Sequence, residues 1–209
     1  MAVKEVLTKL LKFGVDKNYF IISEVGKLDK SCCKKSKVKA IDFDKTKEKV
    51  VNDFNLDTIK SCDALKIIPQ KKCIDFIEMK SSINIINNIN NNTQGKLQQQ
   101  VDKFDFEGKI RDSLYILYFL VNNRNSNLMG YEKNEYYKVK KNYIILTDIN
   151  IEINPLDYLA FTLDYLGQMS SSLSVMLKEA VENIPPDSYQ NLQQPKLMNC
   201  ESFKHFYTT

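Results

Sequence analysis

Ser61-Cys62-Asp63-Ala64-Leu65-Lys66-Ile67-Ile68, a short connection Pro69-Gln70-Lys71-Lys72, then Cys73-Ile74-Asp75-Phe76-Ile77-Glu78-Met79-Lys80-Ser81: this stretch reads as two adjacent β-strands joined by a turn. Side chains alternate faces along a strand, so Glu78 and Lys80 project from the same side, with Ile74 and Phe76 beneath them. A carboxylate and an ammonium at the end of an otherwise apolar strand are costly to set beside a core without partners. If the hairpin pairs Asp63 near Glu78, two carboxylates and a lysine converge on a volume suited to a hard divalent cation and a water.

Helical and extended patterns follow on both sides. Val6, Leu7, Leu10 and Leu11 have helical spacing near the N-terminus. Tyr19, Phe20, Ile21 and Ile22 form an apolar patch expected to be buried, in a strand or a short helix. Residues 38–43 read as extended, and 45–54 as a short charged helix or a strand extension. From about Leu97 to Asn122 the pattern is strongly helical, with Ile110, Leu114, Leu117 and Val121 in one stripe and Gly108 as a bend or a start. Gln98, Gln99, Lys103 and Lys109 lie near its beginning, where a side chain could reach the hairpin or simply face solvent. Residues 136–149 are strand-like around a lysine-rich turn. Asn154-Pro155 reads as a helix start, with Leu156, Leu159, Ala160, Leu163 and Leu166 on one face, continuing to Val181 and stopped by Pro185-Pro186.

The Asp63 strand, the Glu78-Met79-Lys80 strand and the helix after them resemble the PD-(D/E)XK nuclease superfamily. The resemblance covers roughly residues 40–150. The strict pattern has Pro before the Asp, where this chain has Cys62. The resemblance implies an α/β (α+β), restriction-endonuclease-like mixed central sheet flanked by helices. It implies Asp63 and Glu78 as metal ligands, Mg²⁺ or Mn²⁺ as the cofactor, and Lys80 as the group that positions the attacking water. Asp63, Glu78 and Lys80 would then form the catalytic set of a nuclease hydrolysing DNA phosphodiester bonds. Such folds often add an acid from an upstream helix; Glu5, Glu24 and Glu48 are all open as candidates. A bacterial defence or mobile-element role suits the small, Lys/Asn-rich format by association only. The alternatives are a catalytically inactive nuclease scaffold that binds nucleic acid or a partner protein, and a non-enzymatic α/β interaction protein that dimerises.

Composition sets bounds. At 209 residues and 43% hydrophobic, the chain is long enough for one good core, expected as a single domain over 1–184. An asparagine-rich loop is expected at 84–95 and a tail at 185–209. No stretch approaches the ~20 apolar residues of a membrane span, and no signal peptide is read, so a cytoplasmic protein is expected. Cys32, Cys33, Cys62, Cys73 and Cys200 contain no Cys-x-x-Cys pair and are expected to be reduced, partly buried thiols. With His205 as the single histidine, zinc and His-centred catalysis are disfavoured. No Gly-rich phosphate loop or Gly-x-Ser-x-Gly occurs, which disfavours kinase, dinucleotide and serine-hydrolase chemistry. The net charge of +4 is mild, but Lys34, Lys35, Lys37 and Lys39 crowd with Lys27 and Lys30 just before the hairpin, where they could contact nucleic-acid phosphates.

Overall fold

The hairpin forms. In the computed structural model, which describes residues 2–29, 32–57, 59–82, 85, 94–149 and 165–208, Ala64–Ile68 and Cys73–Lys80 are antiparallel neighbours in register from Ala64↔Ile77 to Ile68↔Cys73. Lys72, at φ 54°, closes the turn by donating its N–H to the Pro69 carbonyl at 3.2 Å.

Around this hairpin lies a six-stranded mixed sheet in simple chain order. β1 (Ile22–Glu24), β2 (Lys39–Asp42), β3 (Ala64–Ile68) and β4 (Cys73–Lys80) run antiparallel, and β5 (Lys140–Thr147) and β6 (Lys196–Asn199) continue parallel to β4. A parallel step needs a crossover, because the chain must return to the starting end of the sheet. Helices make both returns. Between β4 and β5 run α4 (Gln94–Asp102), α5 (Phe106–Asn122) and α6 (Gly130–Tyr137); between β5 and β6 runs α7 (Tyr165–Glu182). Earlier in the chain lie α1 (Ala2–Asp16), α2 (Val25–Leu28) and α3 (Phe43–Phe54), and α8 (Cys200–Thr208) closes it. The architecture is therefore mixed α/β, a central sheet flanked by helices.

The two sheet faces bury different layers. Leu65, Ile67, Ile74, Phe76, Tyr143 and Ile145 face a large core with Val6, Leu10, Val50, Ile116, Leu117 and Leu177 from the long helices. Ala64, Ile77, Met79, Ile144 and Leu146 face a smaller one made by Val25, Cys32, Cys33 and Phe203. β4 is buried along both faces, which explains its nearly continuous apolar sequence.

Several expectations are corrected. The helical stretch read from about Leu97 to Asn122 is two helices, and Gly108 lies in the first turn of the second. The break falls at Asp105, which takes a left-handed φ of 47° and accepts the Gly108 N–H at 3.1 Å as the N-cap of α5. A Cβ on Gly108 would run into that carboxylate, so glycine here permits the cap rather than bending the helix. Tyr136 and Tyr137 end α6, and Lys140 and Lys141 belong to β5 rather than to a turn. Tyr19 and Phe20 are buried, but Ile21 and Ile22 are exposed at the sheet edge. The segment 185–209 is not a featureless tail. It supplies β6 and α8, because four residues pair with β5 and Phe203 fills the smaller core, neither of which needs long helical periodicity. Of the expected asparagine-rich loop, 84 and 86–93 lie outside the described residues, while Gln94 and Gly95 begin α4. Asn154-Pro155 and the stripe from Leu156 to Leu163 also lie outside them.

Candidate active site at the end of the hairpin

Extending the β3–β4 register by one residue sets Asp63 opposite Glu78, on the face of the large core. The Asp63 Oδ2 accepts the Met79 N–H at 2.5 Å, and the Asp63 carbonyl accepts the Phe43 N–H at 3.2 Å. The carboxylate is thus pinned between β4 and the start of α3.

Glu78 is fully buried. Its Oε1 is paired with the Lys80 Nζ, and with the Lys109 Nζ at 2.6 Å. Its Oε2 is buried with no hydrogen-bond partner. Lys80 also lies over the Phe104 ring, 4.9 Å from its centre, so the link between α4 and α5 covers its stem. Lys109 is one turn before Ser113 on the same face of α5, and the Ser113 Oγ accepts the Cys62 N–H at 2.9 Å. Asp112 meanwhile accepts the Lys60 N–H at 3.0 Å. Those two bonds staple α5 to the residues entering β3, and so aim Lys109 at Glu78.

The electrostatics follow. Burial and the adjacent Glu78 charge push the Asp63 carboxyl up from 3.8 to about 7; Lys80, Lys109 and the Met79 N–H only temper that rise. Burial pulls the Lys109 ammonium down, but Glu78 and Asp63 more than offset it, and its pKa is raised. Burial drives the Cys62 thiol and the Tyr143 phenol well above their ordinary values, so neither is an ionisable participant. Two carboxylates, two ammoniums and one unpartnered buried oxygen share the site.

The structure therefore brings Asp63, Glu78 and Lys80 together and adds Lys109. Among the other side chains considered near the start of this helical region, Gln98 instead bonds Asp102 at 2.8 Å. The lysine and serine four residues apart on the helix after a Glu-x-Lys strand were the available signal for Lys109 and Ser113. Of the upstream acids, Glu24 pairs with Lys27 and Lys37 and sits opposite Lys39. That places it two strands across the sheet from Asp63 and four residues, about 13 Å, along it. Glu5 and Glu48 are exposed on α1 and α3. Asp44, not anticipated, follows Phe43 directly and accepts the Ser61 Oγ at 2.7 Å.

The four lysines of the basic stretch divide. Lys37 pairs with Glu24 at 3.4 Å and Lys39 is an exposed residue of β2 opposite Glu24, whereas Lys34 and Lys35 line a cavity of about 490 Å³ with Asp148. Asp148 accepts the Ser82 N–H at 2.6 Å and the Ser81 Oγ at 3.0 Å. Because Ser81 and Ser82 directly follow Lys80, this cavity opens at the same end of the sheet as the hairpin site.

The expectation that all five cysteines are reduced is overturned for two. Cys33 and Cys200 form a disulfide; Cys32, Cys62 and Cys73 are free and buried. Proximity through the fold, invisible in sequence spacing, makes the pair. Among the described residues no helix is long and apolar enough to cross a membrane. Comparison of the chain with protein families, curated proteins and solved structures finds no match.

Proposed function

We propose that this chain is a metal-dependent nuclease of the PD-(D/E)XK type, hydrolysing DNA phosphodiester bonds at Asp63, Glu78 and Lys80. The observation that carries the reading is the unpartnered Glu78 Oε2, buried beside a second carboxylate whose proton affinity is raised. A buried carboxylate oxygen without a donor is costly, and a cation relieves it. The donor set is oxygen only, which suits Mg²⁺ or Mn²⁺ over softer ions. With Asp63 and Glu78 ionised and Lys80 and Lys109 protonated, the four charges cancel. A divalent ion then leaves the site positive, as a phosphodiester and a hydroxide require. The sheet order supports the same reading: an antiparallel hairpin carrying the acids, a helix packed against it, then a parallel strand.

Asp63 and Glu78 would hold the ion, which when bound polarises the phosphate and acidifies a water. Lys80, fixed by Glu78 and the Phe104 ring, orients that water and stabilises charge developing on the phosphate oxygens. Lys109 supplies a second fixed positive charge. Its bond to Glu78 also keeps Oε1 committed, leaving Oε2 to the metal. Lys34 and Lys35, across the sheet at the same end, would contact the DNA backbone beyond the reacting phosphate.

A second reading has a specific observation behind it. Two lysines already neutralise Glu78, so the four groups could form a closed ion network in a scaffold that only binds a protein or nucleic acid. Incubation with plasmid and single-stranded DNA, with Mg²⁺ or Mn²⁺ against EDTA, separates the two. The nuclease reading expects metal-dependent cleavage that Lys80→Ala abolishes, together with a metal-induced rise in Tm. Cleavage of neither substrate and no thermal response to either ion would sink it in favour of the scaffold.

A further inference from the structure

Three sulfurs meet where the loop after α2 touches the last helix: Cys32, Cys33 and Cys200 lie within 4.8 Å of one another. Cys33 and Cys200 are bonded across 167 residues of sequence, and the Cys32 Sγ is 3.8 Å from that of Cys33. Such a cluster is either a soft-metal site or a redox site. A metal needs thiolates. Cys32 is instead a poor thiolate: fully buried, it donates to the Leu146 carbonyl at 3.5 Å, and burial with nearby Asp148 and Asp29 holds its proton on. The surroundings favour the disulfide.

Both bonded cysteines line the cavity of about 490 Å³, a size that admits a small molecule. Lys34, Lys35 and Lys204 line it as well, against Asp148 and Glu201. We propose that Cys33–Cys200 is a redox-active disulfide opened by a small acidic thiol of the glutathione class, which enters this cavity and is drawn by the lysines. The incoming thiolate attacks the Cys33 sulfur, forming a mixed disulfide, and the Cys33–Cys200 bond breaks with its electron pair going to Cys200. That sulfur is the better leaving group: Cys200 is the first residue of the nine-residue α8, where the positive end of the helix dipole favours negative charge, while the Asn199 Oδ1 accepts the Glu201 and Ser202 N–H groups at 3.1 and 2.8 Å. A second small thiolate attacks its counterpart in the mixed disulfide. Cys33 is released as a thiolate, two small thiols leave as their disulfide, and their protons pass to Cys33 and Cys200. Cys32 keeps its proton and does not compete.

The bond ties residues 32–38 to β6 and α8, next to Ser81, Ser82 and Asp148 at the end of the sheet. Its opening loosens rather than detaches α8, which Phe203 and the Tyr207–Asp75 hydrogen bond of 2.6 Å still hold.

The test uses the whole chain purified in air, alkylated in denaturant and mapped by mass spectrometry, then titrated with glutathione or with uncharged 2-mercaptoethanol. The proposal expects a linked Cys33–Cys200 peptide, a glutathione adduct on Cys33 during titration, and a fall in Tm on the order of 10 °C once reduced, given the long loop closed. Cys33→Ser and Cys200→Ser should each already lack the fall. Lys34→Gln with Lys35→Gln should slow opening by glutathione but not by mercaptoethanol. Five alkylated cysteines, a zinc ion retained in native mass spectra, or equal opening rates for the two thiols in wild type and lysine variant would overturn it.

Discussion

Replacing Asp63 with asparagine separates what this carboxylate does for the fold from what it does for the site. Asparagine keeps the shape and can still accept the Met79 N–H, but it removes the charge facing Glu78. The Asp63 carboxyl is raised from 3.8 to about 7 by burial and by Glu78. Between those values the unfolded chain releases this proton while the folded chain keeps it. Stability therefore falls as pH rises through that window and is level above it. The full penalty is about 4 kcal/mol above about pH 7, of which about 2 is already present near about pH 5. Asp63→Asn should accordingly gain stability over wild type as pH rises, by about 2–3 kcal/mol between about pH 5 and about pH 8. For a chain of this size that is a relative Tm shift of roughly 5–10 °C, measured by thermal unfolding in EDTA. The same variant should lose cleavage and any stabilisation by Mg²⁺, the trade expected where a fold carries an unfavourable charge for function. A Tm difference independent of pH, or a loss of stability at the higher pH, would show that burial and Glu78 do not disfavour the Asp63 charge.

Other consequences can be checked alongside. Lys109→Gln should lower kcat for DNA cleavage by about 10²-fold with the fold retained, since it removes one fixed positive charge near the phosphate; unchanged kcat would make Lys109 purely structural. Tyr207→Phe strips the hydrogen bond from one oxygen of the fully buried Asp75 and should cost about 1–3 kcal/mol in denaturant unfolding, without affecting metal binding. Lys141 is buried, with its ammonium on the Tyr136, Val139 and Gln190 carbonyls, and burial lowers it from 10.5 to about 8. Because the unfolded chain holds that proton more tightly, stability attributable to Lys141 should rise between about pH 8 and pH 10.5, by about 3 kcal/mol, and Lys141→Met should flatten that rise in a pH series of unfolding curves.

The hairpin, the polar end of its second strand and the helical stripe of Ile110, Leu114, Leu117 and Val121 were legible in residue order. Alternation and helical spacing are properties of near neighbours, and a turn closed by four residues leaves little choice of register. From those the Asp63, Glu78 and Lys80 juxtaposition follows. Gly108 marked a bend or a start, but the place and cause of the break were not legible, because they depend on Asp105 capping a helix from a left-handed conformation.

What only the folded chain decided are the meetings of residues far apart in sequence. Lys109 reaches Glu78 because Ser113 and Asp112 bind the backbone before β3. Lys34 and Lys35 part from Lys37 and Lys39 because Lys39 opens β2, with Lys37 held to Glu24 of β1, while the loop before them turns toward Cys200. Cys33 finds Cys200 because the last residues add a strand beside β5 and return α8 over the smaller core. Sequence periodicity states which face a residue takes. Which distant residue shares that face depends on how the whole sheet closes, and that is set by the sum of packing across the fold rather than by any local pattern.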